Sequence, residues 1–175
     1  MQGFLFYIFV GLIGLIIQGS ILKVILPFGA IPNLILILVV YLGFFRQKND
    51  AALFAFFLGL EYDLFGSHLL LGPNASAAVL VYFLVTSFSK RLFVDSPFTL
   101  GLVVLVASFV SHGVAAIITS QFVPTEGLLT VIFRYSPLEA FASALVAPFV
   151  FKYLKRINVE GRTSKSSMGD PGWSS

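Results

Sequence analysis

The stretch from Pro32 to Gly72, PNLILILVVYLGFFRQKNDAALFAFFLGLEYDLFGSHLLLG, decides how this chain folds. An apolar run from Asn33 to Phe45 meets the polar break Arg46–Asp50 and resumes from Ala51 to Phe65. Each run is shorter than the roughly 20 residues that cross a hydrocarbon core of about 30 Å, which at first suggests a re-entrant hairpin. A hairpin would hold Arg46, Lys48 and Asp50 at its tip inside the bilayer, at roughly 2.5–3.5 kcal/mol per charge. Two short spanning helices avoid that cost, with local membrane thinning or flanking residues completing the crossing.

The neighbouring segments extend the pattern. Upstream, Gly3 to Leu26 is interrupted only by Gln18, Ser20 and Lys23 before Pro27 ends it. It lacks the basic n-region and small-residue cleavage site of a signal peptide and reads as a mature helix. Downstream, Pro73-Asn74 opens a helix to about Phe88. Ser96-Pro97, with proline at the first helical position, opens another to about Thr119. A mildly amphipathic piece, Gly127 to Phe133, is expected to lie along the interface. Ser136-Pro137-Leu138-Glu139 reads as a capping box that opens a last helix to Leu154, kinked at Pro148. The expected fold is all-α: a polytopic six-helix transmembrane domain over 1–156, with helices at 3–26, 33–45, 51–65, 74–88, 97–119 and 137–154. The segment 157–175, rich in Gly, Ser and charge, is expected to be a disordered cytoplasmic tail.

Composition agrees. The 175 residues are 58% hydrophobic and 11% charged, with 20 phenylalanines, and the mean hydropathy is +0.97. Soluble domains carry about 25% charged residues, and a chain of this length has too little interior to hide so much apolar surface from water. Lipid is the solvent, which sets aside soluble enzymes and nucleic-acid binding. The absence of cysteine removes disulfides, thiolate metal sites and cysteine nucleophiles. With the N-terminus inside, Arg46, Lys48, Lys90, Arg91, Lys152, Lys155, Arg156, Arg162 and Lys165 fall on the inner side, and Lys23 and Arg134 on the outer. That asymmetry places both termini in the cytoplasm.

Polar residues inside apolar runs are the functional pointers, because each needs a partner or water. At about 1.5 Å per residue, Asp63, His112 and Gln18 converge on the outer half of the bilayer. Ser108, Ser111 and His112 share one face of the fifth helix, so a polar seam is expected against the third. These side chains are read as interhelical hydrogen-bond partners, with a ligand or ion site and a protein contact as the other readings. Glu61 and Asp63 differ by about 200° around their helix, so they cannot work as a pair on one substrate, and one is free to meet the interface or a second protein. Gly11, Gly14 and Gly19 on the first helix, and Gly59 and Gly66 on the third, permit close helix approach. His68 reads as an interfacial loop residue.

No HExxH, GxSxG or Walker-type glycine loop occurs, and no aspartate on another helix completes a protease dyad with Asp63. The chain is expected not to be an enzyme and to need no cofactor or metal.

A Pro-Asn opening a short helix, a small basic loop, a Gly-Leu-x-x-Asp step and a glycine nine residues later resemble the MreD family, rod shape-determining membrane proteins of the bacterial cell-elongation machinery. The family's residues fall on Pro32, Asn33, Gly59, Asp63 and Gly72, while Glu61 is an addition to the pattern. The resemblance implies a non-enzymatic scaffold in the bacterial cytoplasmic (inner) membrane that binds MreC. It would link MreB filaments to RodA and a class B penicillin-binding transpeptidase for lateral peptidoglycan synthesis. Size and layout are also similar to the substrate-binding S components of energy-coupling-factor vitamin transporters, to which MreD is thought similar in fold. For that alternative, Gln18, Asp63 and His112 would line an outward-facing pocket.

Overall fold

The structure is a computed structural model and describes residues 2–22, 31–45, 49–65, 70–89, 96–122 and 128–167. All regular elements among these residues are helical: α1 (Gln2–Ile16), continued by a π-helical turn (Ile17–Leu22), α2 (Leu34–Phe45), α3 (Asn49–Phe65), α4 (Pro73–Ser89), α5 (Pro97–Ser120) and α6 (Leu128–Ser167). Short connections make successive helices antiparallel neighbours.

The helix α2 is the axis of the bundle. Its sequence LILILVVYLGFF is apolar on every side, and a helix of that kind is stable only when surrounded. Every residue from Ile35 to Phe44 is buried, with Ile37, Val39, Val40 and Leu42 fully so. Helices α1, α3, α4, α5 and α6 all pack against it. At its C-terminal end Tyr41, Phe44 and Phe45 gather around Phe151 of α6. The Tyr41 and Phe151 rings meet edge-on at 5.4 Å, and the Lys155 ammonium lies 4.8 Å over Phe45, an attractive cation–π geometry. Large apolar side chains also cover the outer surface: Phe98, Leu145, Phe149 and Ile117 are 80%, 74%, 75% and 67% exposed. A surface of that kind belongs in lipid.

By length and composition, two helical stretches suffice to cross a membrane, Pro97–Ser120 and Ser136–Arg156. The apolar stretches Ile8–Ser20, Leu34–Phe45 and Pro73–Ser89 are shorter. The sixth helix differs most from its expected bounds: it starts at Leu128, nine residues before Pro137, and continues to Ser167. Ser136-Pro137 is therefore no helix start, and the piece around Gly127–Phe133 enters the helix at Leu128. Both Pro137 and Pro148 sit inside α6. Past Leu154, extending a formed helix costs far less than nucleating one, and the charged sequence Lys155–Lys165 is made largely of residues that tolerate helix. The expected tail is thus helical to Ser167, and the remainder of it lies outside the described residues. So do Gly66 and His68.

Candidate functional site: a polar layer at one end of the bundle

The ends of α1 and α3, the starts of α2 and α4, and the interior stretches of α5 and α6 beside them carry the buried polar side chains. Its geometry follows from the needs of two helix N-termini, each of which leaves backbone N–H groups without intrahelical acceptors.

At the start of α4, Gly72 occupies the cap position and has no side chain to offer, and Pro73 has no N–H. Asp63, nine residues earlier, supplies the acceptor. Its Oδ2 accepts the N–H of Gly72 at 2.9 Å and of Ala75 at 3.1 Å. Its Oδ1 accepts the Asn74 N–H at 3.3 Å and the Asn74 Nδ2 at 2.8 Å. One carboxylate, 2% exposed, thereby satisfies the opening turn and sits at the positive end of the helix dipole. Two glycines make the reach possible. Gly72 takes φ +115°, a conformation costly for residues with a Cβ. A Cβ on Gly59 would lie 2.6 Å from the Ala75 Cα and the Asn74 carbonyl oxygen, so α3 and α4 touch backbone to backbone there.

At the start of α2, Pro32 is buried and Asn33 is the N-cap: its Oδ1 accepts the Leu36 N–H at 3.0 Å. Gln18, in the π-helical turn after α1, accepts the Leu34 N–H at 3.3 Å through Oε1, and its side chain also hydrogen-bonds Tyr62. The remaining groups of Asn33 tie α2 to α6: its N–H donates to Ser143 Oγ at 2.8 Å, and its Nδ2 donates to Glu139 Oε1 at 3.1 Å.

Glu139 then reaches α5. Its Oε2 lies 3.2 Å from His112 Nε2, while His112 Nδ1 donates to the Ser108 carbonyl at 2.7 Å. Because that carbonyl only accepts, Nδ1 holds a hydrogen, and the second contact needs one further proton between imidazole and carboxyl. Asn33, Glu139 and His112 thus form one chain across α2, α6 and α5.

These positions correct several expectations. Asp63, Gln18 and His112 share an end of the bundle but do not join: each is engaged with a different helix. Of the seam on α5, His112 turns to Glu139 of α6 rather than to α3, Ser108 Oγ donates to the Val104 carbonyl of its own helix at 2.9 Å, and Ser111 alone shares a small void with Gly59 and Tyr62 of α3. Glu139, read from sequence as a capping-box residue, is the hub of the interhelical chain, and Ser143 is its neighbour. The spacing Ser136, Glu139, Ser143 on one helical face was the signal for both. Glu61 and Asp63 diverge, Asp63 to α4 and Glu61 to α1 at Gly11. A Cβ on Gly14 would lie 3.6 Å from the Leu34 Cβ, whereas one on Gly19 would meet nothing within 4 Å among the described residues.

Between these groups lies a void of about 10 Å³ touched by Asn33, Gly59, Tyr62, Asn74 and Ser111, the space of about one water molecule. A ligand pocket for a small organic molecule takes about 300–1,000 Å³. Among the described residues, no three His, Asp or Glu side chains gather as a metal site would require.

Fold and site together define an all-α integral membrane protein whose interior polar groups bind helix to helix. The family model for rod shape-determining protein MreD matches residues 1–157, and the chain belongs to that family. It is a rod shape-determining membrane protein, of a family that shapes cells rather than one known for catalysis. No curated protein and no solved structure matches the chain.

Proposed function

We propose that this protein is a non-enzymatic scaffold subunit of the elongation machinery, which binds MreC directly and links MreB to RodA and its class B penicillin-binding transpeptidase. In this reading the bundle crosses the bacterial cytoplasmic membrane six times with both termini inside, and the polar layer lies toward the outer face. The observation that carries it is the use made of the polar side chains. Asp63, Asn33, Gln18, Glu139 and His112 are spent on helix termini and on one another, as a rigid platform requires, and they do not converge on a chamber.

The vitamin-capture alternative draws its support from the same polar residues, and the void between them, near 10 Å³, is too small for a vitamin. A cleft of about 300 Å³ between α4 and α5 is lined by apolar side chains such as Val81, Phe88 and Val106 and by none of those polar residues. Replacement of the resident family member by this chain in a rod-shaped bacterium tests the proposal. Rod shape is expected to persist with the native sequence and to be lost with Asp63→Ala; rounding of cells that carry the native, correctly inserted chain would contradict it.

A further inference from the structure

Glu61 is the polar group that the layer does not use. It lies on α3 and is 9% exposed, and its Oε2 is buried with no hydrogen-bond partner. The carboxyl group is pressed against α1 where that helix has no side chain: a Cβ on Gly11 would come within 2.6 Å of Glu61 Oε2 and 2.5 Å of Leu58 Cδ2. The surroundings are short of charge. Helix α1 carries Tyr7 as its one ionisable residue; α2 contributes Tyr41 and α4 Tyr82, and α3 itself carries Asp50, Tyr62 and Asp63. Asp63 is committed to α4, and no cation among the described residues pairs with Glu61. An ionised carboxylate at such a place lacks both water and counter-charge, which is costly in a membrane interior. The same group bearing a hydrogen removes the charge and fits the space that Gly11 leaves.

We propose that Glu61 is a proton-binding site in the membrane interior, and that its occupied form seats α1 against the bundle. Helix α1 packs on α2 and α3, so this crossing is one of its two main attachments. Release of the proton to water would leave a charge at the crossing and loosen α1, with no change in the Asp63 cap.

A carbodiimide reads this directly, because the carboxylic acid O–H adds across a C=N bond of the reagent, and the adduct rearranges to a stable N-acylurea. The full-length protein in lipid vesicles is treated with dicyclohexylcarbodiimide in mildly acidic and in alkaline buffer, then cleaved with trypsin, and the peptide Asn49–Lys90 is sequenced by mass spectrometry. Label on Glu61 that diminishes in alkali, is lost in Glu61→Gln and survives in Asp63→Asn is the expected result. Absence of label at Glu61 in correctly inserted protein, or label that Glu61→Gln leaves in place, overturns the site.

Seating of α1 is read separately in this cysteine-free chain with the pair Gly14→Cys and Leu34→Cys, since a Cβ at Gly14 stands 3.6 Å from that of Leu34, within disulfide range. The ratio of cross-link formed in alkali to that formed in acid is expected to be lower with Glu61 present than in Glu61→Gln. That comparison cancels the faster oxidation of thiols in alkali. Equal ratios overturn the coupling to α1.

Discussion

Asp63 and Gly72 are joined by a 2.9 Å hydrogen bond in which the Gly72 N–H donates to the carboxylate. The pair explains why an acid stands near the end of one apolar helix and a glycine before the next. Gly72 leaves the N-terminus of α4 uncapped by its own residue, and Asp63 closes it from α3. Gly59 allows the two helices to approach closely enough for this. The three residues thus form one device, which ties the end of α3 to the start of α4.

Asp63→Ala removes the acceptor for three backbone N–H groups and leaves them with little access to water. The expected loss of stability is about 2–4 kcal/mol, on the cost of unmade buried hydrogen bonds. The thermal midpoint of the purified protein in detergent is expected to fall further for Asp63→Ala than for Glu61→Ala. Equal midpoints would contradict the capping role.

Glycine substitutions separate close approach from backbone conformation. Gly59→Ala must push α3 and α4 apart, at about 1–3 kcal/mol. Gly72→Ala forces a side chain into a left-handed conformation, at roughly 1–2 kcal/mol. Gly19→Ala, with nothing within 4 Å among the described residues, is expected to leave the midpoint unchanged. Thermal melts of the three variants check the order.

Asn33 and Glu139 are expected to be energetically coupled through their 3.1 Å contact. A double-mutant cycle with Asn33→Ala and Glu139→Ala should give an interaction of about 0.6–2 kcal/mol, the range for hydrogen bonds between membrane helices. Additive effects of the two changes would show that the contact carries no stability.

A phosphatase reporter fused after Ser175 is expected to be inactive, and a fluorescent protein at the same place to be bright, because nine basic residues against two favour a cytoplasmic C-terminus. A periplasmic reading would overturn the proposed six-span topology.

Much of the helical order was legible because proline and charge punctuate the apolar runs: Pro32, Arg46–Asp50, Pro73 and Ser96-Pro97 all lie within a few residues of helix ends in the structure. The start of α6 was not, since Ser136-Pro137 imitates a helix opening although the helix has already run from Leu128. Periodicity placed Glu61 and Asp63 on opposite faces, and a contact at Gly11 for one and α4 for the other is what rotation by about 200° demands. Pairing was harder to read. Sequence height put Asp63 beside His112, but the two free N-termini decided the matter: Asp63 went to the unsatisfied N–H groups of α4, and His112 was left to Glu139. A polar residue in an apolar run announces that it needs a partner, while the backbone groups competing for it become visible only when helix ends are placed.

Co-purification with MreC tests the central proposal most directly. Tagged, full-length protein expressed with MreC and extracted in mild detergent is expected to bring MreC down in a defined ratio, and to lose it with Asp63→Ala at matched amounts of inserted protein. Recovery of the intact, correctly inserted chain without MreC would contradict the scaffold reading.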